Sequence, residues 1–286
     1  MIEENKQEQT NTIPENTQEV NQEEKAPEVT QEVRFKITFG DIENIKKAFA
    51  VMNDLITEAK IKVTKDKLTI TQMDPANVSM IIFELYSSGA IEWDISQEIE
   101  IGVNVANIFE SLKKATKNDI IVFEYDKSKG DSLYIHYKNK NTKTIKLPLL
   151  DKSDEEDQKI PELEFNVEIK TNAKELKKEL EFLKEYTNVL FEVVDNVTGK
   201  EFNISGSGDL NKSTINIKES EDTIIKTTGN IKTKYSNEYL KHIVKSFAVS
   251  PEVTLKFSKD YPLLMEYKEI DRLSLSFILA PRIESD

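Results

Sequence analysis

The clearest pattern along the chain is a strand-like alternation that gives way to a helical stripe, and it occurs four times. Residues 34–39 (RFKITF) and 164–170 (EFNVEIK) alternate apolar and polar side chains, as half-buried strands do. So do 98–104 (EIEIGVN) and 229–235 (GNIKTKY). Each run is followed by apolar residues at three- and four-residue spacing, the mark of an amphipathic helix. The first helix is expected from Asp41, near its cap, to Leu55, with the stripe Ile42, Ile45, Phe49 and Met52. The second begins near Asn104, with Val105, Ile108, Phe109 and Leu112 as its stripe. The third begins near Thr171 or Asn172 and carries Leu176, Leu180 and Leu183. The fourth follows Ser236 and carries Leu240, Ile243, Val244 and Phe247. Further strand-like runs follow each helix. The repeat implies four strand–helix–strands units, two per half, and an α+β fold with mostly antiparallel pairing.

Lysines recur on the faces these helices leave outside. They are Lys46 and Lys47 on the first, then Lys113, Lys114 and Lys117 on the second. The third has Lys174, Lys177 and Lys178, and the fourth has Lys241 and Lys245. One such helix is an ordinary surface helix. Four facing one way would make a positive surface able to follow phosphates without reading bases. No aromatic residues are expected to interleave with them as a single-strand stacking platform would require.

The 286 residues carry a net charge of −13, which by itself argues against a polyanionic partner. The acid is concentrated in two places. Residues 1–32 hold nine glutamates against two lysines and no aromatic residue, a composition expected to form a disordered acidic tail. Residues 151–164 (DKSDEEDQKIPELE) hold seven acids and two lysines and read as a connector. The rest of the chain is near neutral. The expected organisation is therefore the tail 1–32, a domain over 33–150, the connector 151–164 and a second domain over 165–286. Asp154–Asp157 read as a solvated linker rather than a metal cluster.

Candidate catalysis finds little support. There is no cysteine, which removes thiol nucleophiles, disulfides and zinc ribbons, and only two histidines. GSGDLNKST (206–214) lacks the glycine that precedes the lysine of a phosphate loop and reads as a turn. His136 reads as a strand surface residue. His242, beside Lys241, could meet a phosphate. The N-terminus, MIEENKQEQT, does not read as a signal peptide, and no apolar run is long enough to span a bilayer. No cofactor and no metal site are expected.

Three segments carry a specific resemblance. QMDPANVSMIIFEL (72–85), VTLKFSKDYPLLMEYK (253–268) and LAPRIES (279–285) resemble the signature stretches of the archaeal and eukaryotic sliding clamp family, proliferating cell nuclear antigen. The likeness covers about residues 33–286. It implies a ring of three chains around double-stranded DNA, each chain giving two similar domains with inner helices backed by sheets. Basic family positions match Lys46, Lys47, Lys113, Lys117, Lys177 and Lys245. Asn53 and Glu110 depart from that pattern. The resemblance places the subunit joint near Thr142, Thr144 and Lys146 on one edge, and Thr214, Asn216 and Lys218 on the other. It places a pocket for short partner peptides at Met73, Val78, Met80, Ile160, Pro262, Ile278, Ala280 and Pro281. The implied partners are DNA polymerase, a clamp loader, nuclease and ligase, in the cytoplasm of an archaeal-type cell or in a nucleus. A subunit of a heterotrimeric clamp, a carboxylate- or metal-dependent hydrolase and an interaction scaffold remain open alternatives at this point.

Overall fold

The computed structural model describes residues 32–283, so the tail proposed for 1–32 falls almost wholly outside the described residues. The fourfold pattern is present as four units of one strand, one helix and three strands. The first is β1 (Arg34–Phe39), α1 (Glu43–Asn53), β2 (Glu58–Val63), β3 (Lys67–Met73) and β4 (Ser79–Tyr86), followed by a short β5 (Glu92–Ile95). The second is β6 (Ile99–Asn104), α2 (Val105–Leu112), β7 (Ile120–Asp126), β8 (Ser132–Lys138) and β9 (Thr142–Pro148). The third is β10 (Val167–Asn172), α3 (Ala173–Phe182), β11 (Asn188–Asn196), β12 (Gly199–Ser207) and β13 (Lys212–Lys218), followed by a short β14 (Ile224–Thr227). The fourth is β15 (Ile231–Ser236), α4 (Asn237–Ile243), β16 (Glu252–Phe257), β17 (Leu263–Glu269) and β18 (Leu273–Leu279).

The strands form three sheets. Five strands run in the order β5-β1-β7-β8-β9, and four in the order β13-β12-β11-β15. The largest sheet, β14-β10-β16-β17-β18-β4-β3-β2-β6, crosses from one half of the chain to the other. Its seam is the antiparallel pair β4–β18, with Ser79–Leu85 opposite Leu273–Leu279. Every residue of β18 is buried, although its sequence alternates leucine with serine. Ser274 and Ser276 face the side covered by the connector, where a groove lies between sheet and loop.

The expected helical stripes are the core-facing ones. Ile45, Phe49 and Met52 of α1 are buried, as are Val105, Ile108 and Leu112 of α2. Leu176, Leu180 and Leu183 are also buried, with Leu240 and Ile243. Caps fix the starts. Asp41 Oδ1 accepts from Glu43 N at 2.9 Å, Asn104 Oδ1 from Asn107 N at 3.0 Å, and Asn172 Oδ1 from Lys174 N and Glu175 N. The fourth helix departs from expectation. It ends at Ile243, and residues 244–248 continue as a tighter 3₁₀ turn. Phe109 and Phe247 are only partly buried, and each lies under a lysine.

One buried group has no structural use that the contacts reveal. The Tyr267 ring is fully buried and its hydroxyl has no hydrogen-bond partner among the described residues. Burial raises the pKa of that phenol. An unsatisfied buried hydroxyl carries its desolvation cost with nothing in return. Tyr267→Phe is therefore expected to leave stability unchanged or raise it by up to about 1 kcal/mol, read as an equal or higher urea midpoint.

Candidate nucleic-acid and partner-binding surfaces

The four helices lie in one layer. α1 packs beside α2 and also beside the turn at 244–248, and that turn packs beside α3 and α4. Helices from both halves therefore share one side of the sheets. Lys46, Lys47, Lys174, Lys177, Lys178 and Lys241 lie on the helices themselves. Lys113, Lys114 and Lys117 do not lie on the second helix as expected, because α2 stops at Leu112 and they follow it in a turn, and Lys245 lies in the turn at 244–248. Lys113, Lys114, Lys117, Lys174, Lys178 and Lys245 are exposed, and Lys46, Lys47, Lys177 and Lys241 are half-buried.

Half of these lysines already hold a carboxylate. Lys46 is 3.0 Å from Glu43, Lys113 is 2.9 Å from Glu110, and Lys178 is 3.8 Å from Glu175. Lys177 pairs with Glu181. Lys245 reaches Asp54 at 2.6 Å, joining α1 of one half to the end of α4 in the other. Lys47 donates instead to Asn44 Oδ1 at 3.1 Å. Lys114, Lys117, Lys174 and Lys241 have no acidic partner within 4.0 Å among the described residues. His242 is also drawn to Asp54, its Nδ1 3.3 Å from the carboxylate. The sequence missed the aromatic share of this surface. Lys113 Nζ sits 5.3 Å above the Phe109 ring and Lys177 Nζ 5.2 Å above Phe247. Phe182, one turn beyond Lys178 on α3, is 65% exposed. Its i, i+4 spacing from Lys178 was the available signal.

The six edge positions lie on two outer strands. β9 ends the five-stranded sheet and β13 ends the four-stranded sheet. Thr142, Thr144 and Lys146 of β9 are exposed, as are Thr214, Asn216 and Lys218 of β13. Ile145 and Leu147 on one edge, and Ile215 and Ile217 on the other, turn inward against the core. Two open seven-residue edges with the same alternation are complementary templates for strand addition.

The expected peptide pocket is partly gathered. Leu264, Ile278, Met80 and Met73 face one another in a row across β17, β18, β4 and β3. Met80, Ile278 and Ile82 form a small apolar cluster with Met73, Leu163 and Leu264, separate from the main core. A groove of about 280 Å³ runs beside it under Ile160, Pro161 and Leu163. Ile82 and Leu264 join it without any mark in the sequence, and Leu163 is the connector's contribution. Val78 packs on the main core, and its carbonyl accepts from Ala280 N at 2.9 Å. Pro281 bridges to Tyr235, and Pro262 precedes β17. These four therefore border the strand ends rather than the cluster.

The connector is tied down by charge. Lys60 donates to Glu155 O at 2.6 Å and Asp157 Oδ1 at 2.9 Å, and Lys152 reaches Glu155 at 2.6 Å. Gln158 Oε1 accepts from Met73 N at 2.8 Å. The Lys60 ammonium holds the Asp157 carboxyl below its ordinary range. Part of the connector's acid is thus balanced internally. At its start Leu150 N donates to Gly102 O at 2.9 Å, and any Cβ at Gly102 would collide with the Leu150 carbonyl.

The segment 74–78 has a structural role. Asp74 accepts from Ala76 N, Val78 N and Ser79 N at 2.9, 2.7 and 2.6 Å, and from the Tyr239 hydroxyl of α4 at 2.6 Å. Burial would raise this carboxyl, but the Tyr239 and backbone donors outweigh it and hold it low. The Tyr239 phenol is pushed up to about 12, by burial first and Asp74 second.

The remaining candidates for chemistry are structural. Residues 208–211 form a hairpin turn closed by Gly208 N to Asn211 O. His136 lies in β8 with Nδ1 2.9 Å from Thr144 Oγ1. Among the described residues no group of three or more His, Asp or Glu side chains is arranged to hold a metal ion, and no helix is long and apolar enough to cross a membrane.

Comparison with known proteins agrees with this geometry. Residues 34–157 match the model of the proliferating cell nuclear antigen N-terminal domain, and residues 159–282 that of its C-terminal domain. A DNA polymerase sliding clamp of Nanoarchaeum equitans is 30% identical over 255 residues, covering 86% of this chain and 99% of that one. The DNA polymerase sliding clamp of Pyrococcus furiosus is 28% identical over 252 residues, covering 87% and 99%. A crystal structure of PCNA from Thermococcus kodakaraensis shares the fold, with a TM-score of 0.79 at 22% identity over 87% of this chain and 100% of that one. With both of its halves matched in order and an α+β fold of four repeated units, this chain belongs to the proliferating cell nuclear antigen family.

Proposed function

We propose that the chain is a DNA sliding clamp. Three copies close a ring by antiparallel pairing of β9 with β13 of the next copy, and the helix layer faces double-stranded DNA. The observation that carries this reading is the single layer of four helices with lysines on and beside it, in a chain with two open sheet edges. Backbone-directed contact is independent of sequence and weak enough to permit sliding. The clamp domains are 33–150 and 165–286, joined by the connector 151–164. The apolar cluster of Met73, Met80 and Ile278 receives short peptide segments of DNA polymerase, nuclease and ligase, and a clamp loader opens the ring. The chain then acts by tethering, raising the local concentration of its partners at the primer end, and contributes no catalytic group. Its place of work is the DNA compartment: the cytoplasm of an archaeal-type cell or a nucleus.

A heterotrimer is a second reading with an observation behind it. β9 carries Lys143 and Lys146, β13 carries Lys212 and Lys218, and neither carries an acid. Like charges across a strand pair are unfavourable, so an acid-edged partner chain would pair better. The mass of the isolated chain separates the two: three times 32.9 kDa for the homotrimer, one times for a chain that needs partners.

The test of the DNA-facing surface is charge reversal at the unpaired lysines. Lys114→Glu with Lys117→Glu removes two phosphate contacts without breaking an ion pair. Duplex binding is expected to fall at least tenfold in 50 mM salt, with a log–log salt slope shallower by about 1.8. Unchanged binding would mean that the layer does not face DNA.

A further inference from the structure

Asp54 sits among the residues that would hold DNA. It immediately follows α1, and its Oδ2 contacts both Lys245 Nζ, at 2.6 Å, and His242 Nδ1, at 3.3 Å. Four other carboxylates on the helix layer pair with a lysine of their own helix or its C-cap, three or four residues away. Asp54 instead reaches 191 residues along the chain. It is therefore placed by the packing of α1 against the turn at 244–248, not by rotation of one exposed helix. The pair remains open to solvent, with the Lys245 side chain 49% and the Asp54 side chain 32% exposed.

We propose that Asp54 sets the strength of the clamp's grip on DNA by competing with backbone phosphate for Lys245 and His242. This rests on the reading that the helix layer faces duplex DNA. A phosphate approaching Lys245 meets a fixed carboxylate within hydrogen-bond distance of the same ammonium. It must share the donor or displace the carboxylate, and the two anions repel at short range. Each phosphate held here consequently releases fewer counterions than the lysine count implies, and the contact exchanges more easily. The burial of Asp54 disfavours its charged form, but Lys245 and His242 more than offset this and keep the carboxyl low. The competitor stays charged throughout the neutral range. The occupant it opposes is a nucleic-acid phosphate, because the neighbouring donors Lys241 and His242 lie on the same layer as the other DNA-facing lysines.

The experiment is duplex binding by the full chain, followed by fluorescence anisotropy from 50 to 200 mM salt. Asp54→Asn keeps the shape and removes the charge, and Asp54→Ser serves as a second variant should the amide perturb folding. Either is expected to bind several-fold tighter at 50 mM. One phosphate contact regained steepens the log–log slope by about 0.9, an additional three- to fourfold loss over that range. Lys245→Ala in the Asp54→Asn background is expected to erase the gain. Two results overturn the inference while leaving the clamp reading intact. One is wild-type binding that Asp54→Asn does not change, and the other is a gain that survives Lys245→Ala. If neither wild type nor variant shows salt-dependent binding, the DNA-facing assignment itself fails and this inference fails with it.

Discussion

Replacing Thr144 and Asn216 together by lysine is expected to dissociate the proposed trimer while leaving each chain folded. Both side chains project from edge strands, β9 and β13, and both are exposed. Each new ammonium enters an edge that already has two lysines. Thr144 loses only its contact with His136, and at position 216 the bonds to Glu201 and Asn203 give way to an ammonium beside Glu201. The effect of the pair is therefore felt across the joint. Opposed like charges cost up to about 1 kcal/mol per pair, and a closed trimer has three such joints. A loss of about 3 kcal/mol in assembly corresponds to roughly a hundredfold weaker trimer. Light scattering should then report one chain of 32.9 kDa where wild type reports three, with unchanged circular dichroism. Added salt should partly restore assembly, because it screens the repulsion.

Asp74→Ala should be the most destabilising single substitution in the loop between β3 and β4. The carboxylate receives three backbone N–H groups and the Tyr239 hydroxyl, and the residue is only 4% exposed. Removing it leaves the buried Ser79 N–H without its side-chain acceptor and cuts the link from α4 to the first half. A loss of about 3–4 kcal/mol is expected, since charge-assisted bonds to buried groups are each worth about 1.5–3. Asp74→Asn should cost less, because an amide oxygen can still accept. The pH dependence follows from the lowered pKa. A carboxyl held below its unfolded value, about 3.9, contributes fully above that value and loses its contribution as pH falls through the folded pKa. The gap between wild type and Asp74→Asn in urea midpoint should accordingly be wide at pH 7. It should narrow as the pH falls below about 4.

The helix stripes and the fourfold repeat were legible in the sequence because they depend on local periodicity, which burial enforces. Helix ends were less so. Ile42 takes the cap position with Asp41 bonding from one residue earlier, so α1 starts at Glu43. The tightening at Val244 has no marker in SNEYLKHIVKSF. The acid partners of Lys46, Lys113, Lys177 and Lys178 lie three or four residues away and could be read from spacing. Asp54 could not, since only tertiary packing brings it to Lys245. The same limit applies to β18: LSLSFIL alternates as a half-exposed strand does, yet Ser274 and Ser276 are buried between longer side chains of β17 and β4. Of the expected peptide pocket, Met73, Met80 and Ile278 came from resemblance. Their partners Ile82 and Leu264 follow from strand register, which no single strand's sequence fixes.

Enclosure of duplex DNA by three chains makes retention depend on the topology of the DNA. The direct measurement is retention of the full chain, loaded by a clamp loader, on a closed circular duplex and on the same duplex cut once. A closed ring should be retained for long on the circle and lost rapidly from the linear form through its free ends. Equal retention on both, or equal loss from both, would contradict it.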